Sequence, residues 1–236
     1  MTDPWAERWR LAEDQYRDDP SRFAGSESAF ARWAAERLED EVGSRVVLDL
    51  GGGPGRDARY LAGRGWKVRT VDFSPTAVAR ALEARSVLTE PARSRWTIVE
   101  AEVGRYLATE SPGSVDAVFA HLLYATFSER ELTATVAAVH RVLRPGGIHL
   151  IGLRDPSDPL AGKGTRVGPR TYLGGPHAVA YRYFALEDLD AAVGAGSVRV
   201  ATSRSPSDHE LFAAYRRTPE PAEPNRPGGD PRATSR

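Results

Sequence analysis

Val46-Val47-Leu48-Asp49-Leu50-Gly51-Gly52-Gly53-Pro54-Gly55-Arg56-Asp57 is the stretch that decides the fold. Its first residues form an apolar run long enough for a buried strand. Four glycines and a proline then form a tight turn, where backbone comes close to a neighbouring group. Residues 56–62 have the pattern of a helix. A strand, a glycine turn and a helix in this order form the nucleotide site of an open α/β sheet, because a ligand can approach main chain that lacks Cβ atoms.

Two cofactor classes use a turn of this kind. Gly53, Gly55 and Ala58 fit the Gly-x-Gly-x-x-Gly/Ala spacing of a dinucleotide site, where a phosphate lies at a helix N-terminus. The register that starts at Gly51 fails, because Arg56 stands where the last glycine is required. The turn therefore favours an S-adenosylmethionine site and leaves a dinucleotide-dependent oxidoreductase as an alternative.

The composition excludes several classes of protein. The chain has 236 residues, with 32 Lys+Arg and 32 Asp+Glu, so there is no basic field to attract nucleic acid. It has no cysteine, which excludes disulfides and thiolate metal sites, and its five histidines lack metal-ligand spacing. No apolar run resembles a signal core or a membrane span. We expect a cytoplasmic protein that uses no metal, nucleic acid or membrane; the oligomeric state stays open.

Residues 1–42 are predicted to form a helical cover. Trp5, Trp9, Ala12 and Tyr16 follow steps of four, three and four, which is one face of an amphipathic helix. A second helix is predicted over 28–41. The aromatic side chains either pack on the main domain or form a mobile cover that excludes water from the cofactor.

The main domain is predicted over 43–218. Its five strands alternate with helices, which predicts a parallel, doubly wound α/β sheet. The predicted strands are 46–50, 67–72, 96–102, 115–120 and 148–153, and a hairpin of 198–203 with 210–216 closes the domain. Residues 154–176 are rich in Gly and Pro and have no period, so 154–184 is a candidate lid. The Pro-rich tail 219–236 is predicted to be disordered.

The second strand ends in an acidic residue. Asp72 follows the glycine turn by about twenty residues, the spacing at which a carboxylate binds the two hydroxyls of a ribose. Ser74 is a good N-cap, and Pro75 suits the first helical position. We therefore expect Asp72 to be part of the nucleotide site.

Four motifs, in this order and spacing, resemble class I S-adenosylmethionine-dependent methyltransferases. They are 47–57, 71–75, 115–120 and 141–147. The resemblance implies a Rossmann-like methyltransferase fold with a mostly parallel seven-stranded sheet and a closing antiparallel hairpin, and it implies S-adenosyl-L-methionine as cofactor. Three further features are similar to the tellurite-resistance and thiopurine-type branch: Gly55-Arg56-Asp57, the pattern Trp9…Tyr16…Phe23, and 154–164.

The resemblance also implies roles for single residues. The glycines line the methionine end of the cofactor, one acid supports their loop or the amino group, another holds the ribose, and an aromatic side chain lies against the adenine. The implied cofactor-binding residues are Trp9, Asp49, Gly51, Gly53, Gly55, Asp72, Phe73, Glu102 and Ala120. Glu102 stands where the family has an aspartate bonded to the adenine amino group, and Gly52 where a cysteine is common.

His121 and Tyr124 are the candidate catalytic residues, because they follow the fourth strand, where the chain of the family passes beside the transferable methyl group. The substrate-binding candidates are Arg154, Tyr172, His177 and Arg182. The expected reaction is in-line methyl transfer to a small-molecule thiol, amine or hydroxyl, such as a specialised metabolite. A general base is required only when that nucleophile arrives protonated. A non-catalytic, cofactor-binding regulatory module is a further alternative.

Overall fold

The computed structural model describes residues 8–19, 25–39, 45–174 and 177–219. The strands are β1 (Val46–Leu50), β2 (Lys67–Asp72), β3 (Trp96–Glu100), β4 (Val115–His121), β5 (Leu143–Arg154), β6 (Thr165–Gly168), β7 (Thr171–Gly174), β8 (His177–Arg182), β9 (Ser197–Ser205) and β10 (Glu210–Arg217). The helices are α1 (Arg8–Asp18), α2 (Ala29–Glu39), α3 (Arg56–Gly63), α4 (Pro75–Ser86), α5 (Ala92–Arg95), α6 (Val103–Thr109), α7 (Glu129–Val142) and α8 (Leu186–Val193).

Seven strands form the main sheet, in the order β3-β2-β1-β4-β5-β10-β9. The pairs among β1 to β5 are parallel, whereas β10 is antiparallel to both β5 and β9. This arrangement confirms the predicted doubly wound sheet and its closing hairpin. The direction of winding reverses between β1 and β4, and ligands of open α/β sheets bind in the crevice at the carboxyl ends of such strands.

Alternating side chains of each central strand pack on opposite faces of the sheet, as the two-residue period of a strand requires. In β4, Phe119 packs with α2 and α3, around Phe30 and Leu61. Its neighbour Val118 faces the other side and packs with α6 and α7, around Leu107. The central strands are thus covered by helices on both faces, which leaves their carboxyl ends as the place for a site.

The segment predicted as a long loop and candidate lid contains a second, three-stranded antiparallel sheet, in the order β6-β7-β8. Its strands are only four to six residues long, and the register shifts within both pairs. Strands this short leave no measurable period in the sequence, which is why β6 and β7 were not predicted within the loop of 154–176.

Two further predictions concern α2 near the start of the chain and the tail at its end. Helix α2 begins at Ala29 and ends at Glu39, inside the predicted 28–41. Residues 220–236, most of the predicted tail, lie outside the described residues. In the part of the chain that the structure describes, no helix has both the length and the apolar character needed to cross a membrane.

Candidate active site

Four strand ends line up along the carboxyl edge of the sheet. Leu50 pairs with both Val71 and Ala120, so Gly51 lies level with Asp72 at the end of β2 and with His121 at the end of β4. Neighbouring strands lie ~4.8 Å apart, so the ends of β2 and β5 are separated by roughly 14 Å. An extended ligand can therefore bind along this row of strand ends.

A cavity of about 460 Å³ lies over this row. Its floor is the glycine turn and the ends of β2, β4 and β5, and its walls come from α1, from the chain after β4 and from β8. The wall residues include Tyr16, Phe127, Val179 and Tyr181. The cavity is large enough for a nucleoside-sized molecule together with a small second ligand.

The glycine turn is as tight as its sequence suggests. A Cβ atom at Gly52 would lie 2.0 Å from Oδ2 of Asp49, and one at Gly55 would lie 2.0 Å from the Trp96 ring. Gly53 and Gly55 also have positive φ, 55° and 80°, which side-chain-bearing residues rarely adopt. The backbone of the turn thus lies directly on buried side chains and presents its other side to the cavity.

Asp72 has the position expected for a ribose-binding acid. It is buried and lines the cavity, and its two oxygens accept hydrogen bonds from the backbone N–H groups of Gly53 and Ser74, both at 2.9 Å. Burial raises the pKa of Asp72, while these N–H groups favour its charged form. The carboxylate is therefore fixed in orientation and ties the turn to β2.

Asp49 lies beneath the turn, also at the cavity. Its Oδ2 accepts a hydrogen bond from Thr70 Oγ1 at 3.0 Å, and Thr70 Oγ1 in turn accepts one from Trp96 Nε1 at 2.9 Å. Burial, followed by the charge of Asp57, raises the pKa of Asp49 to about 7. A cation bound in the cavity, such as the ammonium group of an amino acid, would stabilise the charged form of this carboxylate.

Two of the residues expected to contact the cofactor do not line the cavity. The Glu102 carboxylate caps α6 by accepting hydrogen bonds from the N–H groups of Gly104 and Arg105, at 2.9 and 2.8 Å, and does not line the cavity. Ala120 is fully buried within β4. Val103 and Phe73 line the cavity on the β2 side instead, and they provide apolar contacts there.

His121 lies at the cavity between two carboxylates. Its Nδ1 is 3.0 Å from Asp57 Oδ2, and its Nε2 is 3.0 Å from Glu210 Oε2. Burial lowers the pKa of His121, but the two carboxylates outweigh burial and raise that pKa to about 9. The next residue, Leu122, has φ of 58°, an uncommon conformation for a non-glycine residue, and it also lines the cavity.

Tyr124, the other candidate catalytic residue, is buried in the core and does not line the cavity. Its side chain is 1% exposed, and its hydroxyl lies 2.9 Å from Nε2 of His149. Burial raises the pKa of Tyr124 and lowers that of His149 to about 3, so the hydroxyl donates to a neutral imidazole. This pair stabilises the packing between β5 and the 3₁₀ turn Tyr124–Thr126.

Of the four substrate-binding candidates, Arg154 lines the cavity, at the end of β5. Its Nη1 donates to Asp158 at 2.5 Å. Arg182 instead pairs with Glu129 at 2.6 Å, and Tyr172 packs edge-on against Tyr183, so neither reaches the cavity. The side chain of His177 lies outside the described residues, as does that of Trp9.

Helix α1 closes the cavity above the turn. Its Glu13 accepts hydrogen bonds from the hydroxyl groups of Ser74 and Thr76, at the start of α4. Tyr16 places its hydroxyl 2.8 Å from where a Cβ of Gly53 would lie. The helix thus lies over the glycine turn.

The sequence did not identify several residues of the site. Asp57 stands in the quoted stretch, but only its contact with His121 shows its role. Glu210 begins β10, 89 residues from His121, and no spacing rule connects them. Val179 and Tyr181 come from β8, which was not predicted as a strand.

Comparison with known proteins agrees with this site. Residues 47–147 match the family model described as "Methyltransferase domain". An uncharacterised methyltransferase of Synechocystis sp. is 32% identical over 138 residues, and hemagglutinin 1 of Eikenella corrodens is 34% identical over 105 residues. These alignments cover 57% and 44% of this chain, and 58% and 33% of the relatives, so the chain spans only part of their length.

Among solved structures, Burkholderia thailandensis 1,6-didemethyltoxoflavin-N1-methyltransferase, with bound 1,6-didemethyltoxoflavin and S-adenosylhomocysteine, has a TM-score of 0.68. It is 22% identical, and the similarity covers 93% of this chain and 92% of that one. This likeness shows a shared fold. Residues 47–147 of the chain are therefore similar to a methyltransferase domain, on a fold shared with a solved methyltransferase.

Proposed function

We propose that the protein transfers a methyl group from S-adenosyl-L-methionine to a small molecule by in-line displacement. The observation that carries the proposal is the row of Asp72, the glycine turn, His121 and Arg154 along one sheet edge, under one cavity. The family match of residues 47–147 supports the same reaction.

The residues of the row fit the groups of the methyl donor in order. The Asp72 carboxylate suits the ribose hydroxyls, and Phe73 and Val103 suit the flat, apolar adenine. Asp49 suits the ammonium group of the methionine end, since a positive charge there would favour its ionised form. This order places the methyl group near the end of β4.

The protein needs to position the acceptor and exclude water from the cavity. It does not need to supply a reactive side chain. The donor, when bound, supplies an already activated methyl group on a sulfonium. Holding the acceptor in line with that group can supply ~7–11 kcal/mol of the barrier. Helix α1, with Tyr16 over the turn, and Phe127 beyond β4 close the cavity and exclude water.

The acceptor binds on the β4 and β5 side of the cavity in this account. Phe127, Val179 and Tyr181 provide apolar and aromatic walls there, which suit a flat molecule. Arg154 adds a cation at the end of β5, which suits an anionic or strongly polar group on that molecule. The resemblance to the thiopurine-type branch adds thiols and selenols to the acceptors worth testing.

Radiolabelled methyl transfer tests the proposal. Purified protein is incubated with labelled S-adenosyl-L-methionine and panels of aromatic thiols, N-heterocycles and phenols, each with and without a carboxylate. We expect label to appear in at least one flat acceptor, and Arg154→Gln to raise its KM at least about tenfold, as loss of a charged hydrogen bond does. The matched variant Arg182→Gln lies outside the cavity and should leave that KM unchanged.

A thermal-shift panel separates the alternatives. Stabilisation by NADH and not by the methyl donor would contradict the proposal in favour of an oxidoreductase. Stabilisation by the donor, with no label transferred to any acceptor, would favour a regulatory module.

A further inference from the structure

We propose that Asp57 and Glu210 are positioning residues that hydrogen-bond both ring nitrogens of His121. His121 then cannot act as a base, so the acceptor must bind with its nucleophilic atom already unprotonated. The inference rests on the proposed function and narrows its substrates. It names thiolates and pyridine-type nitrogens as the acceptor class, and it excludes ammonium groups and protonated hydroxyls, including that of phenol.

The positions of two carboxylates determine the protonation state of the His121 imidazole. Carboxylate oxygens lie 3.0 Å from Nδ1 and from Nε2, one from α3 and one from β10. An ionised carboxylate only accepts hydrogen bonds, so each ring nitrogen must carry a proton to donate. His121 is therefore an imidazolium, which agrees with the raised pKa of its side chain.

Asp57 is itself held in place by hydrogen bonds. Its Oδ1 accepts hydrogen bonds from Ser28 N at 2.8 Å and from Arg56 Nε at 3.1 Å, and its Oδ2 accepts one from Ser28 Oγ at 2.9 Å. Burial raises the pKa of Asp57, but His121 and then Arg56 bring that pKa well below its usual range. Since Ser28 precedes α2 and its hydroxyl accepts a hydrogen bond from Ala31 N in the first turn, this carboxylate links α2, α3 and β4.

Glu210 is placed by the closing hairpin. It is buried and pairs with Arg154 across the β5–β10 ladder and with Ser205 across the β9–β10 ladder. The hairpin therefore delivers a carboxylate to the end of β4, next to the candidate substrate-binding arginine. The antiparallel hairpin thus contributes a side chain to the site.

Other groups near His121 do not compete for its protons. Phe30 of α2 and Phe119 of β4 pack their rings at 5.1 and 6.4 Å from the imidazole. Among the described residues, Asp49 of β1 also interacts with the His121 charge, and Arg56 of α3 and Arg154 of β5 line the same cavity. Of these, only Asp49 is an acceptor, and it lies beneath the glycine turn.

His121 held in this way cannot take a proton from the acceptor. An imidazolium with both N–H groups bound cannot remove a proton from an acceptor. Asp72 uses both oxygens for backbone N–H groups at the far end of the row. Among the described residues that line the cavity, no free base faces the β4–β5 side, so the acceptor nucleophile must arrive unprotonated.

The reaction then balances without a base. For a thiolate, the sulfur lone pair forms the bond to the methyl carbon while the bond from carbon to the sulfonium sulfur breaks. The electron pair of the broken bond stays on the leaving sulfur, which becomes a neutral thioether, and the product is a methyl thioether. For a pyridine-type nitrogen, the positive charge passes from sulfur to nitrogen, and no proton moves in that step.

NMR titration of the histidine rings tests the positioning role. In the full chain, the His121 signals should titrate with a midpoint near 9, and Glu210→Gln should lower that midpoint by about one pH unit or more, because one opposite charge is lost. Glu129→Gln, on the exposed partner of Arg182, is the matched control and should leave the midpoint unchanged. A wild-type midpoint near the ordinary value of about 6.5 would overturn the proposal.

Thiophenol and phenol, which have the same shape, test the acceptor class. We expect methylation of thiophenol, with a rate that rises with pH as the thiol ionises and with the same profile in His121→Gln at a higher KM. Methylation of phenol but not of thiophenol, or a pH limb near neutrality that disappears in His121→Gln, would overturn the inference. Binding of S-adenosylhomocysteine is measured separately by calorimetry, so that failure of the proposed function is recognised by itself.

Discussion

Gly52 shows most clearly how one residue position is determined by its neighbours. A Cβ atom there would lie 2.0 Å from Oδ2 of Asp49 and 2.5 Å from Cγ2 of Thr70. Both neighbours are buried and cannot move away. The cysteine common at this position in the resembled family does not fit the present turn, because Asp49 occupies the space.

Gly52→Ala should therefore displace the turn and weaken S-adenosylhomocysteine binding by at least about tenfold, with a loss of stability of ~1–3 kcal/mol from overpacking. Calorimetry and denaturant unfolding measure the two effects. Gly63→Ala is the matched control. A Cβ there meets nothing within 4 Å, and alanine in a helix is better than glycine by ~0.5–1 kcal/mol, so unchanged binding is expected. Equal behaviour of the two variants would contradict the tight turn.

Single residues also show what the sequence could predict. The positions of the glycine turn and of Asp72 beside it were predictable, because they follow from local backbone geometry and from spacing along the chain. Tyr124 and Glu102 were not, since residue order after a strand does not say whether a side chain faces a cavity, a core or a helix end. Glu210 reaches His121 only through the tertiary fold.

Among the secondary-structure elements, α1 has the clearest testable role. Glu13 connects it to two hydroxyl groups at the start of α4, and these hydrogen bonds lower the pKa of Glu13 although burial opposes them. The connection lies next to the cavity wall, because Ala12 and Phe73, the chain neighbours of Glu13 and Ser74, line the cavity. Its loss should therefore affect ligand release more than folding.

Glu13→Gln should speed dissociation of S-adenosylhomocysteine by roughly three- to tenfold, as expected for loss of ~1 kcal/mol at a partly exposed charged hydrogen bond. Stopped-flow displacement measures the rate. Asp14→Asn, which removes a carboxylate that pairs with Arg10 and Arg17 on the solvent side of the same helix, serves as the control and should leave the rate unchanged. An unchanged rate in Glu13→Gln would show that α1 is not a cover for the ligand.

The elements differ in how far the sequence predicts them. The alternating β–α pattern through β5 was readable, because buried parallel strands are continuous apolar runs between turn signals. The three-stranded sheet β6-β7-β8 was not, because its strands are short and its exposed positions alternate poorly with buried ones. Yet β8 contributes Val179 and Tyr181 to the cavity wall.

For the whole molecule, two buried histidines predict how stability depends on pH. The pKa of His149 is about 3 in the folded state, below its unfolded value, so its contribution is complete above about 6.5 and is lost as pH falls toward 3. The pKa of His121 is about 9, above its unfolded value, so its contribution is complete below about 6.5 and is lost as pH rises through 9.

The free energy of unfolding should therefore be greatest near neutral pH and fall on both sides. Burial raises the pKa of Asp49 to about 7, so ionising this group in the folded state costs stability between about pH 4 and 7 and offsets part of the acid-side change from His149. Urea unfolding from pH 4 to 10 measures the curve. His121→Gln should flatten the alkaline side and leave the acid side intact. A curve unaffected above pH 8 would contradict a buried imidazolium.

The central claim for the whole molecule is that one row of strand ends binds a methyl donor, with Asp72 on its ribose. Isothermal titration calorimetry with S-adenosyl-L-methionine, on the wild type and on Asp72→Asn, tests it most directly. We predict one binding site in the wild type and an affinity lower by about 10- to 100-fold in the variant, with similar unfolding temperatures. No heat of binding in the wild type, or equal affinity in the two proteins, would contradict the account.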